Sequence, residues 1–394
     1  MRIGRFTFRK LKQRGNAILL NSLHLLLVPA LNFLLYILVV RLYGPTVWGS
    51  LVGLLLAVNL AVHFTAWGNK QFLLRNFSLD PQMIRANWQE AFFTRLPLLA
   101  VPAIIFLLFY APAIAGWMIL WLCVQHLFHS FEVFVVYQKR FIPAILADVA
   151  GFIILAAGIY FFPFVMEKPA FSGLFTLSFA LKALIMAVTF YMVAFRPLKM
   201  HFNFNYFKNA FPFFLLGLVG LLQEKIDLYL MALIGTDEGL GKYHVLISAL
   251  ALLKSGSVFL LMPYIRNVYR LPSSSLRMLA RRLSGAGVVI ILSGVLAMSW
   301  LMPRLFHFDF DWWVYGIGGL YALPHYYYLV LTYKIFRQKN EKVIVTIGLA
   351  ATIFNTILSL LLIPELGFKG ALLATAAAEW LILGIIFWWD KKTA

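Results

Sequence analysis

The sequence predicts an all-α polytopic membrane protein of about twelve transmembrane helices, arranged as two pseudo-symmetric six-helix bundles around a central cavity. Three observations predict it. The 394 residues are 62% hydrophobic and only 12% charged, with a mean hydropathy of +0.85, whereas soluble domains carry roughly 25% charged residues. Apolar runs of about 20 residues, the length that crosses a bilayer, recur along the whole chain. Basic residues in the connecting segments alternate with a strong bias to one side.

Taken in order between turn and charge clusters, the apolar runs place spans near 16–42, 46–68, 90–111, 113–137, 141–163, 171–195, 206–234, 242–264, 284–303, 312–335, 342–364 and 367–389. Pro97, Pro102, Pro112 and Gly116 crowd the third and fourth spans and blur their ends. With the N-terminus cytoplasmic, Arg41, Lys168, Lys242, Arg304 and Lys369 fall outside and Lys182, Lys225 and Lys254 fall within spans. The other 26 of the 34 basic residues fall on the cytoplasmic side. Omitting one span would scramble that ratio, so both termini are expected inside. The first run follows Arg2, Arg5, Arg9, Lys10, Lys12 and Arg14 but is too long for a secretory core of about 7–15 residues, and reads as the first span. Trp312–Trp313, Tyr326–Tyr328 and Trp388–Trp389 mark span ends as interfacial anchors.

The net charge of +19 would suggest nucleic acid in a soluble protein. Here topology accounts for it and no nucleic-acid partner is expected; the basic rim suits anionic membrane lipids instead. Cys123 is the only cysteine, so no intrachain disulfide or cysteine-rich metal site can form.

Six spans precede the Arg196–Lys208 connection and six follow it, dividing the chain into an N-terminal bundle with a basic tail, 1–200, and a C-terminal bundle, 201–394. RLYGPTVWGSL at 41–51 and ALIGTDEGLGKY at 232–243 occupy equivalent turns. Gly44 precedes Arg75–Asn76 by 31 residues, and Gly235 precedes Arg266–Asn267 by the same distance. The equivalent spans share orientation, so the repeat is parallel, which implies a substrate path at the interface of the halves.

Charges inside spans need a partner or a wet cavity, because a mid-bilayer Lys or Asp costs about 2.5–3.5 kcal/mol to insert. Lys182 lies in the sixth span, Lys254 in the eighth and Lys225 in the seventh, within QEKID at 223–227. Glu224 and Asp227 are three residues apart and share a helix face, with Lys225 about 100° round from Glu224. His63 is the repeat equivalent of Lys254. The three lysines, with His63 and Arg41, are the candidate anion-binding residues; Asp227 and Glu224 are the candidate ion-coupling or counterion residues. Arg41 is close enough to a span end to snorkel. Glu132, Glu379 and Asp148 read more simply as ion-pair partners.

Other constellations carry less. His126 and His129 share a face, but two histidines make no metal site without further ligands, and they read as satisfied core polar groups. Asp309-Phe310-Asp311 reads as a solvated turn. No GxxxxGK[ST] phosphate loop is present, which excludes an ATP-driven pump in this chain. Gly217-x-x-Gly220 reads as a helix-packing motif. No cofactor and no metal are expected.

Three segments then resemble polysaccharide flippases. NAFPFFLLGLVGLLQEKIDLYLMALIGTDEGLGKYHVLISAL (209–250) is similar to the family's seventh-to-eighth-helix region, with a mid-helix Asp, here Asp227, and a G-x-Y, here Gly241-Lys242-Tyr243. VVRLYGPTVWGSL (39–51) resembles its first turn, and FNTILSLLLIPELGFKGALLATAAAE (354–379) its eleventh-to-twelfth-helix pattern, carried by Asn355, Ile363-Pro364, Gly367 and Gly370-Ala371. The chain departs from the family in its short loops and in offering lysines where arginines are usual. The resemblance implies the Wzx-type branch of the multidrug/oligosaccharidyl-lipid/polysaccharide exporter superfamily. It implies translocation of an undecaprenyl-diphosphate-linked oligosaccharide to the outer leaflet, by alternating access of two six-helix bundles through a cationic cavity. Fixed cations would replace the water that a diphosphate sheds on entering hydrocarbon. The expected drive is the membrane potential or an H+ or Na+ gradient acting through Asp227 or Glu224. The expected partners are the polyprenyl-diphosphate oligosaccharide, membrane lipids and polysaccharide assembly enzymes, with the chain itself a monomer. The rival within transporters is an ion-coupled drug antiporter of the same superfamily, which would favour an acidic cavity. A membrane-embedded glycosyltransferase or polymerase would need acids in an outer loop, and the first outer turn has none. An inert assembly subunit would not explain the buried charge.

Overall fold

The computed structural model describes residues 2–195, 200–261, 268, 271–338 and 340–392, and the side chains among them except those of 2–19, 21, 22, 25, 273 and 341. Arg196, Lys199, Arg266–Asn267, Arg270, Lys339 and the side chains of the basic tail therefore lie outside what is described.

Among the described residues the α-helices run in order α1 (Arg2–Ala66), α2 (Asn69–Leu79), α3 (Ile84–Arg95), α4 (Ala100–Phe109), α5 (Pro112–Gln138), α6 (Phe141–Phe161), α7 (Lys168–Ala194), α8 (Asn205–Ile234), α9 (Asp237–Leu261), α10 (Ser273–Phe306), α11 (Trp312–Arg337), α12 (Glu341–Leu366) and α13 (Phe368–Lys392). Among the described residues, nine stretches are long and apolar enough to cross a membrane. The first of them, Leu26–Leu79, holds two spans, because α1 is broken at Gly44 (φ 85°, ψ 169°). Only glycine adopts that backbone conformation readily, and the break turns the chain between the first two spans. The helices α8 and α11, of 30 and 26 residues, lie where the seventh and tenth spans are expected but are not among the nine. Each of the twelve expected spans overlaps a helix among the described residues, and the end of the eighth, 262–264, lies outside them. The third is composite: α3 gives way at Leu96–Leu99 to a 3-10 turn around Pro97, whose ring cannot donate to the ladder, before α4 continues.

The chain forms two compact units: unit 1 is 1–38 with 54–217, and unit 2 is 39–53 with 218–394. The units therefore exchange short segments across the chain boundary at residue 200. In unit 1, α5 runs along α7 and α6 packs beside it. The core is aromatic: Trp88 stacks on Phe92 and Phe131, and Phe134 on Phe77 and Phe190. In unit 2, α10 packs on α11, α12 on α13, and α11 bridges to α9 and α13.

The two turns matched as repeat landmarks meet within unit 2. A Cβ on Gly49 would collide with the Asp237 carbonyl oxygen, and one on Gly241 with that of Pro45. Trp48 lies edge-on to His244 beside them, ring centroids 5.5 Å apart. Glycine at both positions is what permits this backbone approach.

Candidate functional site

In unit 1, Lys182 on α7 donates to Asp148 Oδ1 on α6 at 3.1 Å, and His24 Nε2 on α1 lies 3.3 Å from Asp148 Oδ2. The pairing is prepared locally. Ser178, one turn before Lys182, donates to the Gly151 carbonyl on α6, and a side chain at Gly151 would occupy the space of the lysine stem. The ammonium also lies 4.7 Å from the Phe179 ring centroid, a face attractive to cations. A second carboxylate, Glu132 on α5, takes Lys70 Nζ on Oε2 at 3.0 Å, and its Oε1 lies 2.8 Å from His129 Nδ1. Arg95 is buried, and among the described residues it bonds to no carboxylate. It donates to the carbonyls of Ala91 and of Thr65 and Ala66 at the end of α1, and to Ser130 Oγ. His126 beside it is buried, and neither ring nitrogen has a hydrogen-bond partner, which corrects its reading as a satisfied core group. His63 stacks on Phe214 at 5.8 Å, and its ring fills the space that a side chain at Gly217 would need.

In unit 2, Lys254 on α9 donates to Glu379 Oε1 on α13 at 2.5 Å, and Tyr328 on α11 donates to Glu379 Oε2 at 2.7 Å. Nearer the helix ends, Asp390 takes Lys334 Nζ on Oδ1 at 2.6 Å and Arg277 Nε on Oδ2 at 2.7 Å. A cavity of about 210 Å³ opens beside Lys254, with Gln223, Glu224, His325, Tyr328 and Thr332 on its polar side. Leu329, Ile344, Ile347, Ile382 and Ile386 form its apolar side. Ser257 holds His325 Nδ1 at 2.6 Å. Gly220 also lines the cavity, with no atom within 4 Å of where its Cβ would be, so it opens space where helix packing was expected.

These four carboxylates follow one rule: a lysine on one oxygen and a second hydrogen-bonding or ionic partner on the other. Asp227 breaks it. It is 1% exposed, and its hydrogen-bond partners among the described residues are all neutral: the Tyr243 and Thr375 hydroxyls on Oδ2 and the Leu228 N–H on Oδ1. Asn355 donates to Thr375 Oγ1, and Ser359 to Asn355 Oδ1, extending the polar cluster across α8, α9, α12 and α13. A buried carboxylate with neutral donors alone is one positive charge short of balance, which a proton or a monovalent cation would supply.

Each residue singled out from the sequence can now be placed. Lys182 and Lys254 are held by Asp148 and Glu379, in separate units. Lys225 is half-buried with no ion pair or hydrogen bond among the described residues, and Arg41 is exposed. Asp227 is buried, whereas Glu224, on the same helix, is exposed and lines the cavity. Tyr326 and Tyr328, expected as interfacial anchors, are instead buried, with their hydroxyls on the Leu253 carbonyl and on Glu379. Thr375, His325 and His24, and the hydrogen-bonding role of Tyr243, escaped sequence reasoning. Tyr243 and Thr375 lay inside the resembling segments, but their hydroxyls gave no signal in an apolar run. Among the described residues, no three His, Cys, Asp or Glu converge as a metal site.

No family model and no curated protein sequence matches the chain. Solved structures do. The lipid II flippase MurJ in an inward closed conformation superposes with a TM-score of 0.72 at 12% identity, over 95% of this chain and 87% of that one. An inward-facing multidrug resistance MATE family transporter of the MOP superfamily gives 0.65 at 12% identity, over 96% and 98%. A eukaryotic MATE transporter gives 0.53 at 11% identity, over 98% and 97%. At these identities the likeness is one of architecture: the chain is a multi-pass membrane protein with the fold that these solved structures share.

Proposed function

We propose that this protein is a flippase that carries a polyprenyl-diphosphate-linked oligosaccharide from the inner to the outer leaflet of a bacterial cytoplasmic membrane by alternating access. The observation that carries the reading is a lysine, Lys225, within a membrane-spanning helix and without a bonded carboxylate among the described residues. Glu224 and Asp227 act on it electrostatically but neither bonds to it, so its ammonium keeps hydrogen-bonding capacity for a visiting anion. Arg41 adds an exposed cation in the same unit. Lys182 and Lys254 contribute when a diphosphate competes with Asp148 and Glu379 for them, and His63 adds a further donor in unit 1. Asp227 is the coupling residue in this reading. Its hydroxyl-lined pocket takes H+ or Na+, and the change of charge biases one conformation over the other. The fold shared with MurJ, itself a lipid II flippase, supports the substrate class.

A second reading, ion-coupled export of an organic cation, is favoured by one observation: Asp227 and Glu224 lack cationic bonding partners among the described residues. Both readings meet the same test, flipping of a labelled polyprenyl-diphosphate oligosaccharide in proteoliposomes by wild type and by Lys182→Ala, Lys225→Ala and Lys254→Ala, each checked for folding by thermal melting. Loss in Lys225→Ala supports the flippase. Undiminished flipping in all three removes the cationic mechanism, and absence of flipping with uptake of an organic cation by wild type replaces it with the antiporter. Flipping by Asp227→Asn that matches wild type at every pH and sodium concentration removes the coupling role.

A further inference from the structure

The end of unit 2 formed by the start of α10 and the last turn of α13 has more positive charge than its own carboxylate can neutralise. Among the described side chains Asp390 is the acid there, and both its oxygens are taken: Oδ1 by Lys334 and Oδ2 by Arg277. Lys334 is 1% exposed and wholly committed to that bond. Arg277 is not. Its side chain is 36% exposed, and of its guanidinium nitrogens Nε faces Asp390 Oδ2 and Nη2 the Asp390 carbonyl at 3.5 Å, leaving Nη1 without a hydrogen-bond partner among the described residues. Arg281 lies one helical turn further along the same face of α10, and it and Arg282 are exposed.

The last turn of α13 adds Lys391 and Lys392, neither with an ion pair among the described residues. Each lies over a ring of its own helix: Lys391 Nζ is 4.6 Å from the Phe387 centroid and Lys392 Nζ 5.3 Å from that of Trp388. Both rings face outward, Phe387 at 42% and Trp388 at 62% exposure. An exposed Trp with a lysine above it is the arrangement of a side chain at the boundary between hydrocarbon and headgroups, with the ring at acyl-chain depth and the ammonium at phosphate depth.

We infer that this surface binds an anionic glycerophospholipid of the surrounding membrane, its phosphate held by Lys391 and the free edge of Arg277 and its acyl chains lying on Phe387, while Lys392 over Trp388, about 100° further round α13, adds its charge to the same rim. The charge requires an anion, and the exposed rings favour one that carries hydrocarbon. Arg281 completes the basic rim on the α10 side. The bound lipid ties the end of α13 to α10 from outside, as Asp390 ties them from within.

Native mass spectrometry of the full chain in mild detergent tests this, with phosphatidylglycerol and phosphatidylcholine of matched acyl chains as probes. Wild type retains phosphatidylglycerol in preference. The preference falls about fivefold for each lysine removed in Lys391→Gln and Lys391→Gln/Lys392→Gln, while Lys242→Gln, at the other end of the unit, leaves it unchanged. The Asp390 network is intact in all three, so the melting temperature in lipid-free detergent stays at the wild-type value and a loss of binding is not a loss of fold. Equal retention of the two lipids by wild type overturns the inference, as does a preference that survives the double substitution. Displacement of phosphatidylglycerol by millimolar inorganic phosphate also overturns it, by showing that the acyl chains contribute nothing.

Discussion

The two units face one problem, a lysine inside a helical bundle, and solve it over different distances. In unit 1, Lys182 finds Asp148 only 34 residues away, on the neighbouring helix of a local hairpin. In unit 2, Lys254 finds Glu379 at a separation of 125 residues, so the pair joins α9 to the last helix of the chain. The second partner differs as well. Asp148 has the partly exposed imidazole of His24, and Glu379 the buried hydroxyl of Tyr328. The unit 1 pair is therefore a clasp within a hairpin, and the unit 2 pair a closure of the bundle. The same chemistry tests local packing in one unit and long-range topology in the other.

Substitutions can break that contrast. The largest effect is expected for Glu379→Gln, which leaves Lys254 buried without a counter-charge and should cost about 3–5 kcal/mol in thermal or denaturant unfolding. Lys254→Met combined with Glu379→Leu should recover most of it, and a double-mutant cycle isolates the coupling. Asp148→Asn should cost less, about 2–3 kcal/mol, because His24 is partly solvated and the helices it joins are already neighbours. An equal loss in the two variants would remove the distinction between clasp and closure.

Asp227→Asn sharpens it from the other side. No lysine is orphaned, so stability should change by about 1 kcal/mol or less, while coupled transport should fall at least about tenfold if a charge there is the bias. Stability loss as large as that of Glu379→Gln would show that Asp227 has a cationic partner after all. The smallest effect belongs to an exposed pair outside the spans. Lys369 donates to Asp311 Oδ2 at 2.7 Å, and this bond, with the lysine's charge, holds the Asp311 carboxyl below the usual carboxylate range. A depressed carboxyl contributes stability above its unfolded value near 3.9 and loses it as pH falls through the folded value. Lys369→Gln should raise the Asp311 titration midpoint, measured by carbon NMR, without shifting the melting temperature, because exposed pairs contribute little.

Much of this was legible in the sequence, for identifiable reasons. Lys182, Lys225 and Lys254 stood out because a lysine in a 20-residue apolar run is rare whatever surrounds it. The break at Gly44 was legible because turn chemistry is local. That Asp148 would serve Lys182, or Tyr328 would hold Glu379, was not, since pairing depends on which faces of two helices meet. QEKID shows the limit most clearly. Helix geometry put Glu224 and Asp227 on one face, yet packing buries Asp227 among Tyr243 and Thr375 and leaves Glu224 exposed at a cavity. Three residues of spacing leave about 60° between two side chains, enough to put one inside and the other out.

By itself, then, the sequence determined the membrane-spanning class, the succession of long apolar helices and the places where charge enters them, because bilayer thickness and the cost of burying charge act on each segment separately. Tertiary structure alone decided which charges cancel. It matched lysines with carboxylates across 34 and 125 residues and left Asp227 with neutral partners only, because a counter-charge is assigned by contact and contact is a property of packed helices.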